Sequence, residues 1–414
     1  MSERESTNAG WGALPRRRFL SSTAWTAGAV ATGLGSWVIP AKWASAADPI
    51  KVGIATDLTG AIGIAGNACA NTARMMVEDI NAAGGVIGRP LELYIEDTAS
   101  NESVAVNNVR KLVQRHRVDV VLGGITSSMR NAIKDVIVNR GRTLYIYPQL
   151  YEGRECTPYL FCTGPTPAQQ CDALIPWLMA DGAKRFAFPS ANYIWPHRLN
   201  EYARKVVEAN GGEVVFEEYY PLDQIEYSAT VAKIMNENID IVFFTVIPPG
   251  LAPFVKQVYE AGYQERGGRL SCVYYDENLL NFHPPHEMEG LVSCLDYFRA
   301  ISDGGEHQFS ADLHARYDAK FPDGPGFAAG SAATGIYRGL KMWEAAVAEA
   351  GNLERDDVAA ALDHAKIENG PGGGSEMVPG TYHCRMNMYI AVCKSGRYEI
   401  AEQSDGMVEP GECL

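Results

Sequence analysis

From Ile50 onward, apolar β-branched runs alternate with helix-periodic runs, and the alternation occurs twice. In the first pass, "IKVGIATDL", "LELYIEDTA", "VDVVLGG", "TLYIYP" and a short "LFCTG" read as strands. Helices are expected between them, at about 66–82, at about 101–116 and over "TSSMRNAIKDVIVNRG". In the 66–82 segment Ala73, Met76, Val77 and Ile80 recur at helical spacing, and "NAAGGVIGRP" closes it with Gly84 and Gly85. The second pass begins with a helix at 168–179. It continues with strands "RFAFPSA", "EVVFEEYYP", "IDIVFFTV", "RLSCVYYD" and "GLVSCLDYF", and with helices over "PHRLNEYARKVVEANGG", 228–237 and 251–261. Two further helices, near 310–320 and 328–350, precede "GTYHCRMNMYIAVCKSGRYEI", which reads as antiparallel strands. Strand–helix alternation implies parallel sheets covered by helices on both faces. The expected fold is therefore α/β, with two doubly wound parallel-sheet lobes and a cleft between them. The expected lobes are 47–166 with 297–368, and 167–296 with 369–414.

The first 46 residues are set apart. "PRRRFLSS" places Arg16, Arg17 and Arg18 before Phe19 and Leu20. An apolar stretch to Pro40 follows, then Ala44-Ser45-Ala46 as a small-x-small cleavage site. This pattern resembles a twin-arginine export signal, which implies a periplasmic product. Residues 47 onward carry 31 basic against 48 acidic residues, a net −17. So acidic a chain, without a basic cluster, argues against nucleic acid as a partner. Its nine cysteines are Cys69, Cys156, Cys162, Cys171, Cys272, Cys294, Cys384, Cys393 and Cys413. The count is odd and no Cys-x-x-Cys occurs, so no zinc cluster is expected. Cys156 and Cys162 flank a short extended stretch and are the candidate disulfide pair. The alternative is scattered, partly buried thiols.

In open parallel sheets, ligands sit at the carboxyl ends of strands. That rule selects the loops "ATDLTG", "GGITSSMR", "YPQLYEG", "SANYIWPHR", "TVIPPG" and "YYDEN". The candidate ligand-binding residues within them are Thr126, Ser127, Tyr147, Gln149, Tyr193, Trp195, Thr245, Tyr275 and Glu277. Ser127 stands near a helix start, where free backbone N–H groups favour a carbonyl or carboxylate oxygen. Tyr193 and Trp195 are two apart in "NYIWP". Pro196 disfavours a helical Trp195, so both rings are expected to face the cleft from an extended segment, with Ile194 packed behind. Asp57 reads as a turn-stabilising acid, and His197 as a surface or first-turn residue. His283 and His286 have loose metal-like spacing inside a proline-rich turn, which argues against a metal. No cofactor is expected. No Gly-x-Ser-x-Gly, Gly-x-x-x-x-Gly-Lys-Ser/Thr or His-Glu-x-x-His occurs, and "GPGGGS" precedes strands rather than a helix. An enzyme is therefore not expected.

The order of these motifs resembles the bacterial periplasmic-type solute-binding proteins of the leucine/isoleucine/valine class, and within it the amide- and urea-binding branch. "NAAGGVIGR" (81–89) matches a turn shared across the class. "YPQLYEG" (147–153), "TGPTPAQQ" (163–170) and "NYIWPHRLN" (192–200) match marks of the branch, in order. The resemblance covers essentially all residues after the signal, and it implies a type I periplasmic binding protein fold with a hinge near 163–167 and again near Tyr297. It also implies ligand contacts from Ser127, Tyr147 and Tyr193, with Trp195 standing where the family has Tyr or Phe. Four features depart from the branch. Ile125 replaces an aromatic, Gln149 replaces a smaller residue, "TVIPPG" is more apolar, and "YYDEN" is bulkier. The expected function is capture of a small polar solute, a short-chain amide or urea, for an ABC transporter permease by lobe closure. A branched-chain or other amino acid is the alternative ligand, with Ser127 meeting its carboxylate and Asp276 or Glu277 its ammonium. A sensor controlling a partner protein is the alternative role, although it would need no export signal.

Overall fold

The computed structural model describes residues 48–302, 307–329 and 333–413; the expected export signal lies outside them. The first sheet contains strands β1 (Ile50–Thr56), β2 (Leu91–Asp97), β3 (Val120–Gly123), β4 (Leu144–Tyr147) and β5 (Leu160–Cys162), all pairing in parallel. Helices α1 (Gly63–Ala82), α2 (Glu102–Arg110) and α3 (Ser127–Asp135) connect them. The second sheet contains β6 (Arg185–Ala191), β7 (Glu213–Tyr220), β8 (Ile241–Phe243), β9 (Arg269–Cys272) and β10 (Val292–Leu295), again parallel. Its helices are α4 (Pro167–Met179), α5 (Ile194–Ala209), α6 (Ser228–Asn236), α7 (Leu251–Glu260) and the short α8 (Glu277–Leu280). The innermost strands β3 and β8 are buried throughout, as expected of strands covered by helices on both faces. Helix α1 buries the periodic Ala73, Met76, Val77 and Ile80.

After β10 the chain returns to the first lobe through α9 (Gln308–Lys320), α10 (Thr334–Ala350) and α11 (Arg355–Leu362). Helix α10 packs on α1 and on β3 and β4. Gly335 makes this approach possible, because a Cβ there would stand 1.7 Å from the Pro148 carbonyl oxygen.

The tail divides between the sheets differently from the expected boundary at 368. Strands β11 (Lys366–Ile367), β12 (Ser375–Val378) and β13 (His383–Met386) extend the first sheet, β11–β12–β13 antiparallel and β13 parallel to β5. Strands β14 (Tyr389–Lys394) and β15 (Arg397–Gln403) extend the second sheet antiparallel to β10. The two sheets, of eight and seven strands, are thus mixed at one edge. The stretch read as one antiparallel run passes from one lobe to the other at Asn387–Met388. The terminal segment then comes back, with Val408 bridging Met386.

The disulfide joins Cys156 to Cys413, with Cα atoms 5.8 Å apart. The expected Cys156–Cys162 pair does not form. Cys162 is the last residue of β5 and is fully buried, whereas Cys156 lies exposed in the preceding loop, where the returning tail meets it. The other seven cysteines are buried thiols. Among the described residues, no helix is long and apolar enough to cross a membrane, and no group of His, Cys, Asp and Glu could hold a metal.

Candidate ligand-binding cleft

The first crossover between lobes is tightly built. Thr166 caps α4, its backbone N–H donating to Gln169 Oε1 at 2.9 Å in a reciprocal capping box. Its hydroxyl donates to the Pro410 carbonyl at 2.7 Å, so the tail overlies the crossover. A Cβ at Gly164 would come within 2.1 Å of the Gln149 carbonyl oxygen. Beside this crossover lies a cleft of about 750 Å³, open mouth included. One wall comes from the first lobe: Ile62, Ile64 and Ala65 at the start of α1, Ile125, Thr126 and Ser127 after β3, and Leu150 after β4. The other comes from the second lobe: Tyr193 and Trp195 after β6, Ile247 and Pro248 after β8, and Tyr274, Asp276, Asn278 and Leu279 after β9. A side compartment shares Ile62, Thr126, Tyr193, Ile247 and Pro248 and adds Asp57, Ser100, Glu102 and Ser128.

Four of the nine candidate residues line this cleft: Thr126, Ser127, Tyr193 and Trp195. Thr126 caps α3, its hydroxyl accepting from the Met129 N–H at 3.1 Å. Ser127 donates its hydroxyl proton to Glu152. Tyr193 and Trp195 stand together, ring centroids 6.2 Å apart, and Trp195 meets Tyr274 edge-on at 5.6 Å. Their backbone is not the expected one. Only Tyr193 is extended (φ −153°, ψ −179°); α5 begins at Ile194, so Trp195 and Pro196 are helical. Proline is tolerated in a first helical turn, where its missing N–H has no partner to lose, and that overrode its bias on the preceding residue. Ile194 points outward at 37 % exposure rather than packing behind the rings.

The other five candidates are absent from the lining. Tyr147 is buried behind it, its hydroxyl donating to the Ile125 carbonyl at 2.9 Å. Leu150, three residues on, takes its place in the wall. Gln149 is buried with its amide nitrogen 3.6 Å from Cys69 Sγ. Thr245 is buried just beyond β8 in a bridge to Ser190. Tyr275 is buried against Phe244 and His283, and its neighbour Tyr274 reaches the cleft instead. Glu277 turns away to accept the Arg299 N–H at 2.6 Å, while Asp276 and Asn278 on either side face the cleft. The strand-end loops were legible, but which residue of each loop points inward was not. At "YYDEN" the offset is a single residue, the smallest step that reverses a side chain's direction in extended backbone. The missed Ile62 and Ile64 lie just beyond the selected "ATDLTG", in the apolar "AIGIAG" that a wider window would have included.

The walls are chiefly hydrocarbon and aromatic. Among the described residues, no Lys, Arg or His lines the cleft or its side compartment. The acid that lines the main cleft is Asp276. Burial, reinforced by the neighbouring Glu277 charge, pushes it up to about 8, although backbone N–H groups of Leu279 and Asn278 oppose the shift. Burial likewise pushes Glu277 up to about 7. Asn278 is spent on Gly326, donating to its carbonyl at 3.0 Å and accepting its N–H at 2.8 Å. The Trp195 indole N–H has no acceptor among the described residues. Asp57 is fully buried below the side compartment and its carboxyl is raised by burial. His283 pairs with Glu287 at 3.1 Å, and burial lowers its pKa.

The sequence profile described as "Periplasmic binding protein" matches residues 49–397. The Leu/Ile/Val-binding protein BraC3 of Rhizobium johnstonii is 25 % identical over 233 residues, covering 55 % of this chain and 58 % of that protein. The Leu/Ile/Val-binding protein of Escherichia coli is 26 % identical over 220 residues, 52 % of this chain and 59 % of its own length. The chain thus spans less than two thirds of the length of either relative. Among solved structures, a solute binding protein of an ABC transporter from Rhodopseudomonas palustris, in complex with 3,4-dihydroxybenzoic acid, aligns with a TM-score of 0.76 at 22 % identity, covering 88 % of this chain and 99 % of that one. The branched-chain amino acid transporter substrate binding protein LivJ from Streptococcus pneumoniae, in complex with isoleucine, aligns with a TM-score of 0.74 at 18 % identity, covering 87 % and 100 %. With two α/β lobes, a cleft between them and a family profile that spans most of the sequence, the chain belongs to the periplasmic binding protein family.

Proposed function

We propose that this protein is the periplasmic solute-binding component of an ABC uptake transporter, with a membrane permease as its partner, and that its cleft takes a short-chain aliphatic amide. The observation that carries the ligand is the charge state of the walls. Among the described residues they hold no Lys, Arg or His, and the acid that lines the main cleft, Asp276, is pushed to about 8, so that it is largely uncharged at neutral pH. A neutral solute enters such a site without leaving an unpaired charge in low dielectric. Its alkyl part lies on Ile62, Ile125, Ile247 and Leu279, and its carbonyl and N–H meet the few polar groups. Urea matches less well, because its whole perimeter is polar and most of this wall is apolar. Aromatic acids, held by some structural neighbours, would find no cation here for their carboxylate.

A branched-chain amino acid is the second reading, favoured by the names of the sequence relatives and by Asp276. An ammonium group beside that acid would restore its ionised form. Thermal unfolding with acetamide, isobutyramide, urea, leucine and benzoate tests the choice, since a ligand that binds only the folded state raises the melting temperature. Isobutyramide is expected to give the largest rise. A rise with leucine alone moves the assignment to the second reading, and a rise with benzoate alone rejects both. Lobe closure on the ligand would lower the radius of gyration in small-angle scattering. Export by the twin-arginine route rests on Arg16-Arg17-Arg18-Phe19-Leu20. Replacing Arg16 and Arg17 by lysine should hold the precursor in the cytoplasm, and normal export of that variant would refute the route.

A further inference from the structure

We infer that Glu152, held by Arg130, is a positioning residue that turns Ser127 into a hydrogen-bond acceptor toward the cleft, so that the site selects ligands bearing an N–H over their oxygen counterparts. The inference deepens the amide reading and takes its first probes from it.

A serine hydroxyl has one proton and two lone pairs. Ser127 spends its proton on Glu152 Oε2. An ionised carboxylate accepts only, so the direction of this bond is set by the partner. Glu152 is fixed as that partner by Arg130, whose Nη2 donates to Glu152 Oε1 at 2.8 Å. Arg130 is anchored in turn, with Nε donating to Glu155 Oε2 at 3.0 Å and its guanidinium carbon 4.9 and 4.8 Å from the ring centroids of Tyr147 and Tyr151. Lys134 completes the cluster by donating to Glu155 at 2.9 Å. The side chains of Arg130 and Glu152 are each only 4 % exposed. Turning the Ser127 proton into the cleft would leave Glu152 Oε2 short of a donor in the interior, a costly arrangement. A ligand group that reaches the Ser127 oxygen would therefore meet its lone pairs rather than its proton. This differs from the expectation that a carbonyl or carboxylate oxygen is received at this helix start. Among the donors of the opposite lobe is the Trp195 indole N–H, which is buried and has no acceptor among the described residues. An amide placed with its N–H toward Ser127 Oγ and its carbonyl toward Trp195 satisfies both; a carboxylate oxygen against Ser127 Oγ would set lone pair against lone pair and leave only the backbone N–H groups of the α3 start to receive it.

The test compares matched ligands that differ in the N–H: isobutyramide against isobutyrate, and leucine against 2-hydroxy-4-methylpentanoate. Calorimetric titration at pH 7 is run on the wild-type protein, Glu152→Gln and Ser127→Ala. A glutamine at 152 can donate its amide N–H to Ser127 Oγ and release the serine proton toward the cleft. Wild type is expected to prefer the N–H-bearing member by about tenfold or more, and both variants to lose most of that preference. Ser127→Ala keeps the Glu152 charge, so loss of preference there separates hydrogen-bond direction from simple repulsion of an anion. Preference retained in Glu152→Gln, or a wild-type preference for the member without N–H, overturns the inference. Binding of neither pair overturns it together with the amide reading. If only the leucine pair binds and both variants lose discrimination, the positioning role stands and the amide reading falls. Should Glu152→Gln fail to fold, Ser127→Ala decides: discrimination lost supports the role, and discrimination kept overturns it.

Discussion

Arg338 on α10 and Asp296 just beyond β10 form an ion pair at 2.6 Å, with side chains 2 % and 0 % exposed. The pair spans the lobes, since α10 packs on the first sheet and β10 belongs to the second. Arg338 also donates to the Ser375 hydroxyl at 2.9 Å and to the Thr163 carbonyl, and so touches the first crossover as well. One guanidinium thus ties two of the points at which the chain passes between lobes.

Removing one partner of this pair takes the opposite charge away from a buried one. Arg338→Met and Asp296→Asn are each expected to cost about 3–5 kcal/mol of unfolding free energy. The double variant should lose less than the sum of the two, because no buried charge then lacks its opposite charge. Urea denaturation of the three variants measures this; strict additivity would show that the two residues act independently.

The Cys156–Cys413 disulfide closes a sequence separation of 257 residues and anchors the tail that covers Thr166. Loop-closure reasoning puts its contribution at about 5 kcal/mol, the upper end for a disulfide. Cys413→Ser is expected to lower stability by that order, and dithiothreitol to produce the same loss in wild type but no further loss in the variant. Equal stability of oxidised and reduced wild type would show that the tail is held by its other contacts, among them the acceptance of the Arg154 N–H by Glu412 at 2.6 Å.

Trp195 should report ligand. The described residues contain three tryptophans, and Trp343 is sealed in the core while Trp177 packs on its margin. Binding should change tryptophan fluorescence, and Trp195→Phe should remove most of the change. Because phenylalanine keeps the wall but not the N–H, affinity should also fall about tenfold. A variant with both signal and affinity intact would remove Trp195 from the site.

Asp276 and Glu277 make stability depend on pH in a definite direction. Their folded pKa values, about 8 and about 7, are raised above ordinary values of 3.8 and 4.5. The folded state therefore binds protons that the unfolded state has released. The contribution is complete below about pH 4 and is lost as pH rises through 7 and 8. The melting temperature of the ligand-free protein should fall between pH 5 and pH 8.5, and Asp276→Asn should flatten that fall. A wild-type profile no steeper than that of the variant would contradict the shift.

The two strand–helix passes were legible because strand burial and helical periodicity are local properties of apolar side chains, as at "VDVVLGG" and Ala73–Ile80. The crossover at 163–167 was legible too, through glycine, proline and a Thr-Pro-x-x-Gln cap. Strand ends located the cleft to within a few residues for the same reason. Other features depend on distances in space. Tyr274 rather than Tyr275, and Asp276 rather than Glu277, face the cleft because the chain leaves β9 with a twist that neighbouring elements set. Tyr147 is withdrawn because Leu150 and Ile125 fill the wall before it. Cys156 meets Cys413 instead of Cys162 because the tail returns to the first lobe, and no local pattern records where a tail returns. The sequence alone determined the two lobes and the loops that line the cleft, because each rests on the chemistry of consecutive residues. Only the tertiary structure decided which side chains look inward, which cysteines pair and which way the Ser127 proton points, because each depends on groups that packing brings together from distant parts of the chain.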